Sequence, residues 1–218
     1  MALAIFDLDN TLLAGDSDHA WGEFLVAQGQ VMATEYAQAN DYFYAQYQAG
    51  ELNITEYVAF VVKPLQQLSG QQREALQTEF LDTIVRSMVA PGAAQLLNKH
   101  REAQDELLII TATIDFITRP IAKHLGVDHL LATIPEQDIH GDFTGRIAGI
   151  PAFQEGKIAR LKQWLSEQNR EFSEQWFYSD SHNDLPLLEY VTHPVAVDPD
   201  QVLANHAQTQ GWPIISLR

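Results

Sequence analysis

Two aspartates, Asp7 and Asp9, stand one residue apart where the apolar run "ALAIF" ends, with Thr11 two positions further on. Paired carboxylates at the end of a buried strand repel each other and resist desolvation. They belong either in a solvated turn or beside a cation. Three further polar pieces take similar positions: Thr111 closes "ELLIIT", Lys157 lies near the start of an amphipathic segment, and Asp180 and Asp184 follow "QWFYS". Taken singly, each is compatible with a turn, a strand residue, a helix cap or a solvated lysine. Taken together they form a phosphoryl-transfer set. Asp7 is the candidate nucleophile. Asp9 is placed to protonate the leaving alcohol and then to take a proton from water. Thr111 is expected to bind a phosphoryl oxygen, and Lys157 to neutralise charge on the nucleophile and the phosphate. Asp7, Asp180 and Asp184 with a backbone carbonyl are hard oxygen ligands suited to Mg²⁺.

The 218-residue chain carries a formal net charge of -16. That charge argues against nucleic acid as a partner, because phosphate backbones are bound by clustered Lys and Arg. It also means that an anionic substrate needs a local positive centre, which Lys157 and a metal ion would supply. There is no cysteine, so neither disulfides nor thiolate metal sites arise. No apolar run is long enough to span a bilayer, and "MALAIFDLDN" does not read as a signal peptide. The expectation is a cytoplasmic protein with no membrane partner, monomeric or homodimeric.

These residues need a scaffold that brings strand ends together. Residues 2–7 read as a buried strand, followed from Ser17 to Val89 by helical segments with breaks at Gly29 and Gly50 and no convincing strand. Its aromatic stripe of Tyr36, Tyr42, Phe43, Tyr44 and Tyr47 is expected to be packing. Asn53 and Glu56 resemble a capping box. Beyond Gly92 the pattern alternates: helix 93–103, strand "ELLIITAT", helix 115–125, a strand near 129–134, two short strands in "IHGDFTGRI", helix 155–169, strand "QWFYSD", helix 185–191, strand "PVAVD" and a last strand in "WPIISL". Alternation of this kind indicates an α/β protein with a parallel sheet. The expected organisation is a core of residues 1–14 and 90–218, with residues 15–89 as a helical cap inserted after the first strand. The insertion begins at a carboxyl strand end, where open α/β sheets bind ligands, so it is placed to cover a site.

"FDLDNTL", "IIT", Lys157 and "SDSHNDLPLL" together resemble the four motifs of the haloacid dehalogenase (HAD) superfamily, in its phosphoserine-phosphatase-like branch. The resemblance spans essentially the whole chain. It implies a Rossmann-like core, Mg²⁺ dependence and an aspartyl-phosphate intermediate, with Asp7 also binding metal and Asp9 contributing its backbone carbonyl. Ser179 departs from the glycine common before the metal-binding aspartate. The substrate implied is a small phosphorylated metabolite. Phosphoserine is the branch's best-known substrate, with its carboxylate held by a cap arginine, yet residues 15–72 hold no arginine and only Lys63 as a lysine. Residues 15–89 carry ten acids against three bases, a net of -7. An acidic cap favours a cationic substrate, and Asp16, Ser17, Asp18, His19 and Glu23 are the candidates to read it. "DSDHAWGEFL" and "HPVAVDPD" are also similar to bacterial HAD-type histidinol-phosphate phosphatases, so histidinol phosphate is the expected substrate and phosphoserine the alternative. A receiver-like or phosphate-binding module without esterase activity is the contrasting class. Receivers, however, take their acidic pair and acceptor from different strands.

Overall fold

The first strand, β1 (Leu3–Phe6), is fully buried, and its side chains alternate between two cores. Leu3 and Ile5 pack with Leu161, Trp164 and Leu188, whereas Ala4 and Phe6 pack with Leu97, Ile117 and Ile121. β2 (Glu106–Ile114) repeats the pattern, with Leu108 and Ile110 on the first side and Leu107 and Ile109 on the second. A strand covered on both faces has to be apolar at every position, which is why these runs show no polar alternation. The structure, a computed structural model, describes residues 2–218.

The insertion after β1 is helical throughout: α1 (Ser17–Ala27), α2 (Ala33–Gln48), α3 (Ile54–Val62), and α4 (Gly70–Phe80) continuing through 81–85 into α5 (Arg86–Met88). Asp16 caps α1, its carboxylate accepting from the N–H groups of Asp18 and His19 at 2.9 and 2.8 Å. Asn53 caps α3, but Glu56 answers through the Asn53 side chain rather than its backbone, so that capping box is only half formed. The complete box belongs to Ser69 and Gln72 at the start of α4. At α1–α2 the backbones approach closely: a Cβ on Gly22 would lie 2.4 Å from Asn40 Oδ1, and the Asn40 amide donates to His19 O at 2.9 Å.

The entry and exit of the insertion run side by side. Ala14 N–H donates to Met88 O at 2.6 Å and Ala90 N–H to Leu12 O at 2.9 Å, with Leu13 and Val89 bridged antiparallel.

The remaining chain supplies α6 (Ala93–Glu102), β2, α7 (Asp115–His124), β3 (His129–Thr133), β4 (Pro135–Gln137), β5 (Phe143–Ile147), α8 (Glu155–Glu167), β6 (Gln175–Ser179), α9 (Leu185–Tyr190), β7 (His193–Val197), α10 (Gln201–Gln210) and β8 (Ile214–Ile215). Six strands form one parallel sheet in the order β3-β2-β1-β6-β7-β8. The chain is therefore an α/β protein with a parallel sheet at its centre.

Two sequence expectations need correction here. "IHGDFTGRI" contains one strand, not two: β5 pairs with β4, and 139–141 form the turn between them. The helix α10 was not anticipated, because "QVLANHAQTQ" has too few apolar residues to show a helical period. Its ends were nonetheless marked by Asp200, which accepts from Leu203 N–H, and by Gly211 in the left-handed region at φ 70°.

The β4–β5 hairpin also holds the insertion. Arg73, buried on α4, donates to Leu65 O and Gly141 O at 2.9 Å each and to Asp142 Oδ1 at 2.5 Å. Gln66 adds a 2.8 Å hydrogen bond to Phe143 O. A buried guanidinium with most of its donors matched makes a directional joint between the two parts of the chain.

Candidate active site

Strand register brings the chemistry together. Phe6 is level with Ile109 of β2 and Tyr178 of β6, so Asp7, Thr111 and Asp180 all emerge at the carboxyl edge of three neighbouring strands. Asp7 N–H still donates to Tyr178 O at 2.9 Å, which anchors its backbone to the sheet. The chain then turns sharply, with Leu13 N–H closing on Leu8 O at 3.0 Å and Asn10 at φ 55°. Asparagine tolerates that left-handed position better than most residues, which accounts for its place between Asp9 and Thr11.

Lys157 enters from the first turn of α8, where the helix dipole disfavours a cation. It is 2 % exposed, and its Nζ lies 2.9 Å from Asp7 Oδ1 and 2.6 and 2.7 Å from the two oxygens of Asp184. Burial pulls the lysine down, but the charges of Asp184 and Asp7 outweigh it and hold Lys157 protonated. The preceding glycine makes this approach possible: a Cβ on Gly156 would fall 2.1 Å from Pro151 O. Gln154, just before α8, is held at φ 48° and ψ -126°. Its amide donates to Asn183 Oδ1 and to Gly50 O, while Asn183 donates to Tyr47 O at 2.9 Å. Insertion and sheet edge are therefore joined directly beside the lysine.

Asp9 is engaged on both oxygens. Oδ1 accepts Ser17 N–H at 2.6 Å and Oδ2 accepts the Thr113 hydroxyl at 2.8 Å. Burial, with the charge of Asp16 next, pushes its carboxyl up to about 7, despite the hydrogen bonds that favour the ionised form. A carboxyl raised in this way holds a proton more readily than a free aspartate, as a group that gives and later takes a proton requires.

Thr111 is buried at the cavity, its hydroxyl oxygen accepting Thr113 N–H at 3.2 Å, which leaves the hydroxyl proton for a ligand. Asp180 accepts the Thr11 hydroxyl at 3.1 Å. Ser179, the residue in the usual glycine position, donates to Asp184 Oδ2 at 2.7 Å and so helps to orient that carboxylate toward Lys157.

The donor set fits a hard divalent cation. Asp7 and Asp184 share one ammonium, while Asp180 pairs with none and is raised by the charges of both, so the cluster is short of positive charge. Burial pushes Asp7 up to about 7, Lys157 opposing and Asp184 adding to the shift. Burial, then the charges of Asp7 and Asp184, push Asp180 well above the usual carboxylate range. No group of three or more His, Asp or Glu side chains converges on one point among the described residues. A metal here would accordingly take Asp7 and Asp180 as side-chain ligands and complete its shell with backbone, phosphate and water oxygens. Asp184 is turned to Lys157 and Ser179.

Above Asp7 and Asp9 lies a cavity of about 40 Å³. Its floor is Asp7, Asp9, Thr111 and Thr113, and its walls come from the insertion, including Asp16, Asp18, His19, Tyr44 and Tyr57. No lysine or arginine is among the lining residues. Of the insertion candidates, Asp16, Asp18 and His19 reach the cavity, and Ser17 holds Asp9 through its backbone. Glu23 is exposed and does not reach the cavity. His19 Nε2 is 2.8 Å from Asp41 Oδ1. The aromatic stripe divides: Phe43, Tyr44 and Tyr47 line the cavity, Tyr36 stacks on Phe60, and Tyr42 is 58 % exposed. Packing thus describes only part of it. Thr113 and Tyr57 were not anticipated. Thr113 repeats Thr111 at the spacing that puts two strand side chains on one face, which was the available signal.

The haloacid dehalogenase-like hydrolase family matches residues 4–189. The chain belongs to that family. It is 40% identical over 219 residues to a histidinol-phosphatase of Neisseria meningitidis, covering 99% of both chains. It is 31% identical over 223 residues to a phosphoserine phosphatase of Mycobacterium tuberculosis, covering all of this chain and 71% of the relative. A Bordetella pertussis protein of unknown function superposes with a TM-score of 0.93 at 41% identity, covering 99% and 98% of the two chains. A substrate-bound phosphoserine phosphatase shares the fold at TM-score 0.70 and 15% identity, covering 100% and 93%. With full-length phosphatase relatives, this HAD-like hydrolase is a phosphatase. No helix among its described residues is long and apolar enough to cross a membrane.

Proposed function

We propose that this phosphatase hydrolyses a small phosphomonoester whose alcohol is cationic, histidinol phosphate in particular, through an aspartyl-phosphate on Asp7 and with Mg²⁺ as cofactor. The carrying observation is the cavity, which is walled by carboxylates, His19 and aromatic rings and has no cation to hold a substrate carboxylate. The full-length likeness to a histidinol-phosphatase supports the same reading.

In the first step an Asp7 oxygen attacks phosphorus, the ester P–O bond breaks, and Asp9 gives its proton to the departing alkoxide. Lys157 stabilises charge on Asp7 and the transferring group, and Thr111 donates to a phosphoryl oxygen. In the second step water attacks the phosphorus of the acyl phosphate, Asp9 takes its proton, and Asp7 is released with inorganic phosphate. Asp7 and Asp180, with the Asp9 carbonyl, would hold Mg²⁺, which supplies charge neutralisation for the phosphoryl oxygens. The insertion, residues 15–89, serves as the cap that excludes water. It has to open for substrate to enter and product to leave.

Phosphate release from histidinol phosphate, phosphoserine and sugar phosphates, with Mg²⁺ and with EDTA, tests the assignment. Strong turnover of histidinol phosphate alone, abolished by EDTA and restored by Mg²⁺, is the expected result. Preferred turnover of phosphoserine would overturn the substrate, and EDTA-resistant turnover would overturn the cofactor.

Asp9→Asn should lower kcat on alkyl phosphates by about 10²–10⁴, the usual share of general acid–base catalysis. The loss should be smaller on 4-nitrophenyl phosphate, whose leaving group departs without a proton. Equal losses on both esters would remove Asp9 from the proton-transfer role.

A further inference from the structure

The insertion is attached to the rest of the chain along two edges that differ in kind. One edge is apolar and ionic. The Trp21 ring meets Phe80 and Phe116 edge-on, Phe116 meets Phe143 in the same way, and the buried Arg73 guanidinium reaches Gly141 and Asp142. Parting that edge would separate interlocked rings and strip a buried cation of its partners, both costly. The other edge, at the end of α2, is polar and neutral. Asn183 donates to Tyr47 O at 2.9 Å, and the Gln154 amide donates to Gly50 O at 3.3 Å and to Asn183 Oδ1 at 3.2 Å. Asn40 is the one buried residue of α2, and its amide bonds to His19 O inside the insertion rather than to the sheet edge. This edge is the weaker of the two.

Two backbone features mark it as a built contact. Gln154 stands at φ 48° and ψ -126°, a region that glycine enters freely and other residues only under strain. Glycine would relieve that strain, so the side chain is what the position uses. Opposite it, Gly50 stands at φ 73°, and a Cβ there would fall 2.9 Å from His182 Nε2. His182 is itself fixed, because Asp200 Oδ2 accepts its backbone N–H at 2.7 Å and lies 2.8 Å from its Nδ1. The missing side chain at residue 50 lets the backbone settle on this fixed surface. Gln154 also accepts Lys157 N–H on its carbonyl at 3.0 Å, so the strained residue belongs to the turn that carries the ammonium.

We infer that the insertion opens at the Tyr47–Gly50 edge, pivoting on the aromatic and Arg73 edge, and that Gln154 is the positioning residue that fastens it closed beside Lys157. The inference rests on reading residues 15–89 as a cap that closes over Asp7, and it names the side that moves and the residue that holds it. Gln154 touches no reacting group. Its bond to Gly50 O belongs to the closed state, and its bond to Asn183 keeps the amide aimed at that carbonyl.

Gln154→Gly separates side chain from backbone, because glycine keeps the conformation at no steric cost and removes the amide. Its Tm should match or exceed that of the wild type. On 4-nitrophenyl phosphate its KM should rise about tenfold, the size of two neutral hydrogen bonds, with kcat changed less than about threefold. Hydrogen exchange gives the deciding readout, measured with Mg²⁺ in the presence and absence of orthovanadate, which imitates the transferring phosphoryl group. In the wild type orthovanadate should slow exchange over residues 46–53 by about tenfold or more, and in Gln154→Gly by less than about threefold. Residues 65–76, at the Arg73 edge, should exchange alike in both proteins and in both conditions. Equal slowing of 46–53 in the two proteins overturns Gln154 as the fastener and leaves the cap reading standing. No slowing at 46–53 in the wild type overturns both. Slowing at 65–76 as large as at 46–53 in the wild type overturns the pivot, whatever the variant does. Faster exchange at 65–76 in the variant also overturns the assignment, since Gln154 would then support the fold as a whole.

Discussion

Asp7→Asn should abolish phosphatase activity, with kcat falling by about 10⁵–10⁶, the scale on which hydrolases lose rate when their nucleophile is removed. The substitution is nearly isosteric, and its amide oxygen can still accept from Lys157, which sits 2.9 Å from Asp7 Oδ1 in the native site. The strand residues Leu3–Phe6 and the backbone bond from residue 7 to Tyr178 are untouched. The loss should therefore be chemical, with thermal unfolding changed little. Rapid acid quenching with labelled substrate distinguishes the nucleophile from a carboxylate that merely binds. Wild-type protein should carry hydroxylamine-labile phosphate on Asp7, and Asp7→Asn should carry none. Hydroxylamine-labile phosphate on the variant, or turnover within about 100-fold of wild type, would place the nucleophile elsewhere.

The parts of this site that could be read from sequence share a property. Asp7, Lys157, Asp180 and Asp184 each sit within a residue or two of a strand end or helix start, Thr111 lies three residues before the end of β2, and the apolar runs that fix those ends are local signals. Parallel strands then bring the ends together as a consequence of the fold. What escaped is what depends on pairing across the chain. Thr113 in β2 looks like any β-branched strand residue until its hydroxyl is seen on Asp9. Tyr57 belongs to an aromatic-rich helical stretch where packing and cavity lining give the same pattern. The Arg73 joint to the β4–β5 hairpin rests on contacts between segments about 70 residues apart, for which periodicity carries no information. Glu23 illustrates the converse. One helical turn from His19 on paper, it faces solvent, because the buried face of α1 is set by Trp21, Phe24 and Leu25.

Lys157→Met should be damaging in two ways at once, and pH separates them. Methionine approximates the length and volume of the lysine stem, so packing against Phe177, whose ring lies 5.7 Å from Nζ, is largely conserved. What disappears is the one ammonium among the described residues that touches Asp7 and Asp184, both nearly inaccessible to solvent. Losing one partner of a buried ion pair costs about 3–5 kcal/mol, because the remaining charge has no compensation. For a chain of this size that corresponds to a Tm lower by roughly 10 °C at neutral pH. Burial already pushes the Asp7 carboxyl up to about 7 with the lysine present, and without that opposing charge it moves higher. A carboxyl whose folded-state pKa lies above its unfolded value supports the fold while protonated and weakens it as pH rises through the folded value. The Tm deficit of the variant should therefore widen as pH rises above about 7, where Asp7 is ionised in the wild type and still protonated in the variant, and hold steady below it. Activity should fall by about 10³-fold at every pH, since no protonation of Asp7 or Asp184 replaces a cation at the transferring phosphoryl group. A Tm deficit independent of pH would mean that the lysine acts mainly through packing. Activity within tenfold of wild type would remove Lys157 from the phosphoryl-transfer site.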